Sequence, residues 1–175
     1  MPKKIAPASD RPRFVLAIDP GIGGAIALVD DHSCLAAFNM PIEQKRSGRK
    51  QVDALRLYQQ IIELFTCTPA QLSETHALIE QVAARPGQGV SGMFSFGDSF
   101  GVARTVLAVT FERTEMVMPN VWKKAMGLTK DKAYSLTLAR RSFPDARPSL
   151  TRKKDEGVAE ALLLARYGQK YFRWA

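Results

Sequence analysis

Residues 13–30 read RFVLAIDPGIGGAIALVD. Two apolar runs, FVLAID and AIALVD, flank the glycine-rich break GIGG. Alternation with a β-branched and aromatic bias on either side of such a break predicts two antiparallel strands joined by a tight reversal. One carboxylate, Asp19, ends the first run directly before Pro20 and Gly21. Asp-Pro-Gly is an ordinary turn sequence, and an acid at the tip of an apolar strand is also what a metal site uses. Both readings stand until the rest of the chain is brought to bear.

CLAAFNMP (34–41) predicts a third strand closed by Pro41, whereas EQKRSGRK (43–50), with four basic residues and a glycine, is a loop or strand edge. Apolar residues from 52 to 67 recur near the helical period and predict an amphipathic helix. HALIEQV (76–82) is a short strand with Glu80 near its end, and the Gly- and Pro-rich AARPGQGVSG that follows suits no regular element. A helix is expected over 93–109, with Gly97 and Gly101 four apart, a spacing that permits close helix packing. TEMVMP is the fifth strand candidate, 120–126 a short helix, LTKDKAYSLTLARRSFP a longer one and RPSLTRKK a loop. DEGVAEALLLARYG forms the last helix, closed by Gly168. Strands first and mixed elements afterwards, without repeats, imply one α/β domain built on a mixed sheet. Its expected bounds are 13–175, after a loose basic tail over 1–12.

A chain of 175 residues with 46% hydrophobic content can bury one good core. Disordered, collagen-like and disulfide-scaffold classes are excluded by that balance. No apolar run approaches the roughly 20 residues of a membrane span, and MPKKIAPASDRPR lacks a signal-peptide core. A cytoplasmic protein with no membrane partner is expected. Cys34 and Cys67 fit neither a zinc pattern nor a disulfide framework and are read as reduced packing residues. Ten Lys/Arg against two Asp fall between 120 and 154, which accounts for the whole formal charge of +8. A basic surface concentrated in one segment suits a polyanion, nucleic acid first. His32 and His76 have no partner motif and are expected at the surface or a strand edge.

Acids occur where burial alone would favour apolar residues: Asp19, Glu80, the pair Asp155/Glu156 and Glu160. Glu156 and Glu160, four apart, share one helix face, while Asp155 faces elsewhere unless it precedes the helix. Carboxylates converging from two strand ends and a helix would repel one another without a cation between them. Hard oxygen donors suit Mg²⁺ or Mn²⁺, and two such ions support phosphodiester hydrolysis. An acid at a helix start is also an ordinary cap or dipole partner.

Four ordered blocks, FVLAIDPGIGGAIALVD, ALIEQVAARPGQGVSGMFSFGDSFG, VMPNVWKKAMGL…KDKAYSLTLARRSFPD and RKKDEGVAEALLLARYG, resemble the RuvC-type Holliday-junction resolvases, especially the phage and prophage branch. The resemblance runs from Phe14 to Gly168. It implies an RNase H-like fold, a five-stranded mixed sheet with three antiparallel and then parallel strands, flanked by helices. It also implies two Mg²⁺ per active site, with Mn²⁺ as a substitute, held by Asp19, Glu80, Glu156 and Glu160. Asp155 is the reserve for Glu156, because bacterial resolvases carry Asp or His three before the final acid and Gly157 stands there. The family acts as a homodimer that nicks opposed strands of a four-way junction, and FGDSFGVARTVLA is the candidate dimer surface.

Lys123, Lys124, Lys130, Lys132, Arg152, Lys153 and Lys154, with Arg85 and Gln88 of the glycine-rich loop, are the candidate DNA contacts; Arg140 and Arg141 fit a solvated helix face equally well. Phe94 and Phe96 are candidates to wedge between bases, or core residues at helical spacing. Trp122 is expected to pack the short helix down. The leading expectation is a crossover-junction endodeoxyribonuclease using water as nucleophile. Its alternatives are a nuclease of RNA:DNA hybrids or other branched DNA, and an inert junction-binding protein. A two-domain sugar-kinase or actin-like ATPase would need a longer chain.

Overall fold

The computed structural model describes residues 5–7, 10–83, 87, 89–129 and 132–172. Strands β1 (Phe14–Asp19), β2 (Ala25–Val29) and β3 (Cys34–Asn39) form the expected meander. Strands β4 (Ile42–Gln44) and β5 (Lys50–Val52) pair as a small separate hairpin, in the segment expected to be a loop or strand edge. Gly48 permits that reversal with a φ of 82°. Helix α1 (Ala54–Cys67) starts where the Asp53 side chain accepts from the Arg56 N–H. Strand β6 (Thr75–Glu80), helix α2 (Val90–Thr110) and strand β7 (Thr114–Val117) follow. The chain ends in α3 (Pro119–Ala125), α4 (Lys132–Ser142) and α5 (Glu156–Tyr171). The helix expected through Pro144 stops at Ser142, and two short 3₁₀ turns, Pro144–Ser149 and Lys153–Asp155, overlap the loop expected over RPSLTRKK and the first residue expected in the last helix.

The sheet order is β3-β2-β1-β6-β7, antiparallel from β3 to β1 and parallel from β1 to β7. This is the five-stranded mixed sheet expected from the sequence. Side chains alternate across it, so β1 sends Val15 and Ala17 to one core and Phe14, Leu16 and Ile18 to the other. The first core lies under α3, α4 and α5, the second under α1 and α2. Small residues, Ala17, Ala25 and Ala27, floor the first core and let α5 lie close to the sheet. Larger ones, Leu16, Ile18, Ile26 and Leu28, fill the second.

Several local expectations change. Gly168 does not close α5 but lies inside it. A Cβ there would stand 3.0 Å from Val15 Cγ1 and 3.2 Å from Leu78 Cδ2, so the glycine serves helix-to-sheet contact. Gly97 and Gly101 on α2 face open space among the described residues rather than a neighbouring helix. His76 is buried on interior strand β6, stacked on Phe172 and 3.3 Å from Glu115, not at a surface or edge. Part of the expected loose tail is docked, since Ala6 is buried and its N–H donates to Lys170 O at 2.9 Å. Both cysteines are free thiols, but Cys67 is exposed rather than packed. Among the described residues no helix is long and apolar enough to cross a membrane.

Candidate active site

The parallel register pairs Ile18 with Ile79. The next residue on each strand, Asp19 on β1 and Glu80 on β6, therefore leaves the same end of the sheet. Both follow residues of the α5-side core, Ala17 and Leu78, at a spacing of two, so both carboxylates emerge on the α5 face. Asp19 is half-buried and Glu80 is buried, 7% exposed.

Helix α3 supplies two partners for Glu80. Pro119 at its first turn fits the missing N–H requirement of a helix start. One turn on, fully buried Trp122 donates its indole N–H to Glu80 Oε2 at 2.7 Å. The neighbouring Lys123 ammonium lies 2.9 Å from Glu160 Oε2 on α5 and 3.9 Å from Glu80 Oε2. A single cation thus joins the acid from the sheet to the acid from the last helix. Trp122 packs α3 down as expected, and its hydrogen bond to a carboxylate has no sequence signal beyond WKK following an apolar strand.

The two acids at the start of α5 have different surroundings. Asp155 is buried and precedes the helix. It accepts from the Arg152 backbone N–H at 2.7 Å and from the guanidinium at 2.9 Å, and these bonds hold its carboxyl below the ordinary 3.8. Glu156 is the first residue of α5, half-buried, one turn before Glu160. Gly157 lies against the β1–β2 turn, where a Cβ would meet Gly23 O at 2.5 Å and Gly24 Cα at 3.3 Å. No ligating side chain fits at 157 with that turn in place.

The donor set is all carboxylate oxygen, chemistry that fits hard divalent ions, and a lysine ammonium between two of the acids marks a place that favours positive charge. Among the described residues the acids are not drawn into a preformed cage of three or more His, Cys, Asp or Glu.

The DNA-contact candidates are divided by the structure. Lys124 and Lys154 are exposed, and Lys123 is turned toward Glu160. Arg152 is largely exposed but bound to Asp155. Arg140, by contrast, donates its Nε to Leu150 O at 2.7 Å. Arg85, Gln88 and Lys130 lie outside the described residues, as do the side chains of Lys132 and Lys153. Phe94 is exposed with Arg49 over its ring at 5.3 Å. Phe96 is half-buried, and its ring reaches within 3.2 Å of a Cβ built on Gly21, two residues past Asp19. It also walls an open cleft with Glu80, Met118 and Asn120.

No family model and no curated protein matches this sequence. Among solved structures the chain is similar to Thermus thermophilus RuvC in complex with a Holliday junction substrate, at 13% identity and a TM-score of 0.51 over 88% of this chain and 91% of that one. A Thermus thermophilus RuvC structure matches at 15% identity over 90% and 98% of the two chains, with a TM-score of 0.48. The order and sense of the five strands, with helices on both faces, thus place this chain in the RuvC-like fold.

Proposed function

We propose that this protein is a metal-dependent endodeoxyribonuclease that nicks four-way junction DNA. The observation that carries the reading is the constellation Glu80, Lys123 and Glu160 beside Asp19 at the end of parallel strands β1 and β6. The similar Thermus protein is described with a Holliday junction substrate, and the fold offers the same frame. Asp19, Glu80, Glu160 and Glu156 would hold two Mg²⁺ or Mn²⁺ ions, which supply water activation and stabilisation of the leaving 3′ oxygen. Asp155, bound to Arg152, would set the start of α5. Lys124 and Lys154 would meet backbone phosphates, so binding should weaken by about 0.9 log unit per log unit of salt for each phosphate neutralised.

A junction has two equivalent scissile strands, and a twofold homodimer matches that symmetry. The α2 stripe Val90, Phe94, Gly97, Gly101 and Thr105, half-buried at Gly101 and exposed at the other four, follows helical spacing and is the proposed contact between copies. Gly101→Glu should then shift the protein toward monomer in light scattering.

Incubation with an immobile four-way junction, a Y-fork, a linear duplex and an RNA:DNA hybrid, in Mg²⁺, Mn²⁺ or EDTA, tests the activity. Paired symmetric nicks in the junction alone are expected with metal and none with EDTA. Asp19→Asn and Glu80→Gln should bind the junction without nicking it. Junction binding by the wild type without nicks in either metal would instead identify an inert binder.

A further inference from the structure

We infer that the β4–β5 hairpin is a second phosphate-binding surface, which grips the backbone of a duplex arm on the side of the active site away from Lys124 and Lys154. The kind of polyanion rests on the nuclease reading above; the surface is built from a segment to which that reading gives no task. Four cations, Lys45, Arg46, Arg49 and Lys50, stand against one acid, Glu43, over residues 43–50, and all of them are exposed. Outside 120–154 the acids and bases of the chain balance, so the net charge conceals this local excess. Among the described residues none of the four cations forms an ion pair, and Glu43 accepts from the Gln51 amide. Like charges gathered on one hairpin repel one another, and an anion laid across them relieves that repulsion.

The register of the sheet puts this hairpin at the active-site end. Asp19 pairs with Ala25 and Ala25 with Asn39, so the last residue of β3 lies in one row with the first-strand carboxylate. The chain leaves that row through Met40, whose N–H donates to Gly24 O at 2.9 Å, and enters β4 two residues later. Met40 and Val52 root the two feet of the hairpin in the α1/α2 core, and the Asp53 N–H closes its base on Pro41 O at 3.0 Å.

A two-stranded hairpin on its own is marginal in water, and this one is braced. Its tip is closed by the Lys45 N–H on Arg49 O at 2.9 Å and the Gly48 N–H on Lys45 O at 2.8 Å. Arg49 donates to Ser95 Oγ at 2.8 Å and lies over the Phe94 ring, which ties the tip to the first turns of α2. Arg49 is thus the brace, and Lys45, Arg46 and Lys50 are the cations left to meet phosphate. Asp19 and Glu80 emerge on the α5 face, the layer that also carries Lys124 and Lys154. The hairpin leans on α2, which covers the opposite face. A duplex arm crossing the sheet end over the carboxylates therefore meets cations on both flanks.

Fluorescence anisotropy of an immobile four-way junction in EDTA, titrated with KCl, tests the surface without cleavage. Lys45→Gln/Arg46→Gln/Lys50→Gln should weaken binding about tenfold at low salt and flatten the log–log salt slope by about 0.9 for each side chain that meets a phosphate. The loss should be the same for junctions of different base sequence, because backbone contacts do not read bases. Ser47→Lys adds a cation at the exposed tip and should tighten binding and steepen the slope, which decides the matter even if the triple variant fails to fold. Hydroxyl-radical footprinting should show a protected stretch of arm backbone that disappears in the triple variant and survives in Lys124→Gln/Lys154→Gln. Wild-type affinity and slope in the folded triple variant, or no change in Ser47→Lys, would overturn the hairpin surface and leave the nuclease standing. Hairpin-dependent junction binding without nicks in Mg²⁺ or Mn²⁺ would uphold the surface and remove the nuclease.

Discussion

The indole nitrogen of Trp122 donates a 2.7 Å hydrogen bond to Oε2 of Glu80, and both residues are buried. An acceptor bound in this way has one oxygen committed and its plane fixed, so its other oxygen has a set direction. Hydrogen bonds to charged groups contribute about 1.5–3 kcal/mol. Trp122→Phe keeps most of the apolar volume and removes that donor. It should fold, melt a few degrees lower and bind Mn²⁺ about tenfold more weakly. Unchanged Mn²⁺ affinity by calorimetry would limit Trp122 to packing.

Asp155 and Glu156 are adjacent, yet the structure gives them different tasks. Asp155 is tied to the Arg152 backbone and guanidinium, so Asp155→Ala should lose about 2 kcal/mol as a cap and a charge-assisted bond disappear together. Because the Arg152 bonds lower the carboxyl from 3.8, this stabilisation is complete above that value and lost as pH falls through the lower folded one. Once pH falls below that lower folded value, the variant and wild type should converge in stability. Glu156→Gln should melt like the wild type and lose metal-dependent cleavage. The reverse pattern in thermal melts and nicking would make Asp155 the ligand.

His76 gives the fold a separate pH dependence. Burial against Phe172 lowers its pKa from 6.5; Arg113 lowers it further and Glu115, at 3.3 Å, opposes both. The neutral ring is the form the fold prefers. Its contribution is therefore complete above 6.5 and declines as pH falls below that value toward the folded one. Urea unfolding between about pH 8 and pH 5 should show this loss, and His76→Phe should flatten it. Equal slopes in both proteins would assign the acid sensitivity elsewhere.

The strands were legible because their signal is local. Alternation in FVLAID and AIALVD sets the two faces of β1 and β2, and Asp19 and Glu80 follow as strand ends. Long-range contacts were not legible. Gly168 looks like a helix stop until Val15 and Leu78, far away in sequence, are seen to need the space of its Cβ. Gly157 looks like a lost ligand until Gly23 O is found 2.5 Å from where its Cβ would be. His76 lacks any motif because its burial depends on Phe172 at the other end of the chain. Lys123 read as one more phosphate contact, since no local pattern says that α3 carries it to Glu160.

That lysine offers the sharpest test of how the acids coexist before a metal arrives. Lys123 lies 2.9 Å from Glu160 and 3.9 Å from Glu80, with its side chain 30% exposed. Lys123→Met keeps the stem and removes the charge, which leaves two neighbouring carboxylates without their shared cation. The loss should lie between the surface and buried limits for ion pairs, roughly 1–3 kcal/mol, and thermal melts in EDTA should show it. Mn²⁺ should then raise the melting temperature of the variant more than that of the wild type, because no ammonium has to be displaced. Binding of N and not U produces such a shift by mass action. Equal Mn²⁺-induced shifts would mean that the ammonium and the metal do not share the space between Glu80 and Glu160.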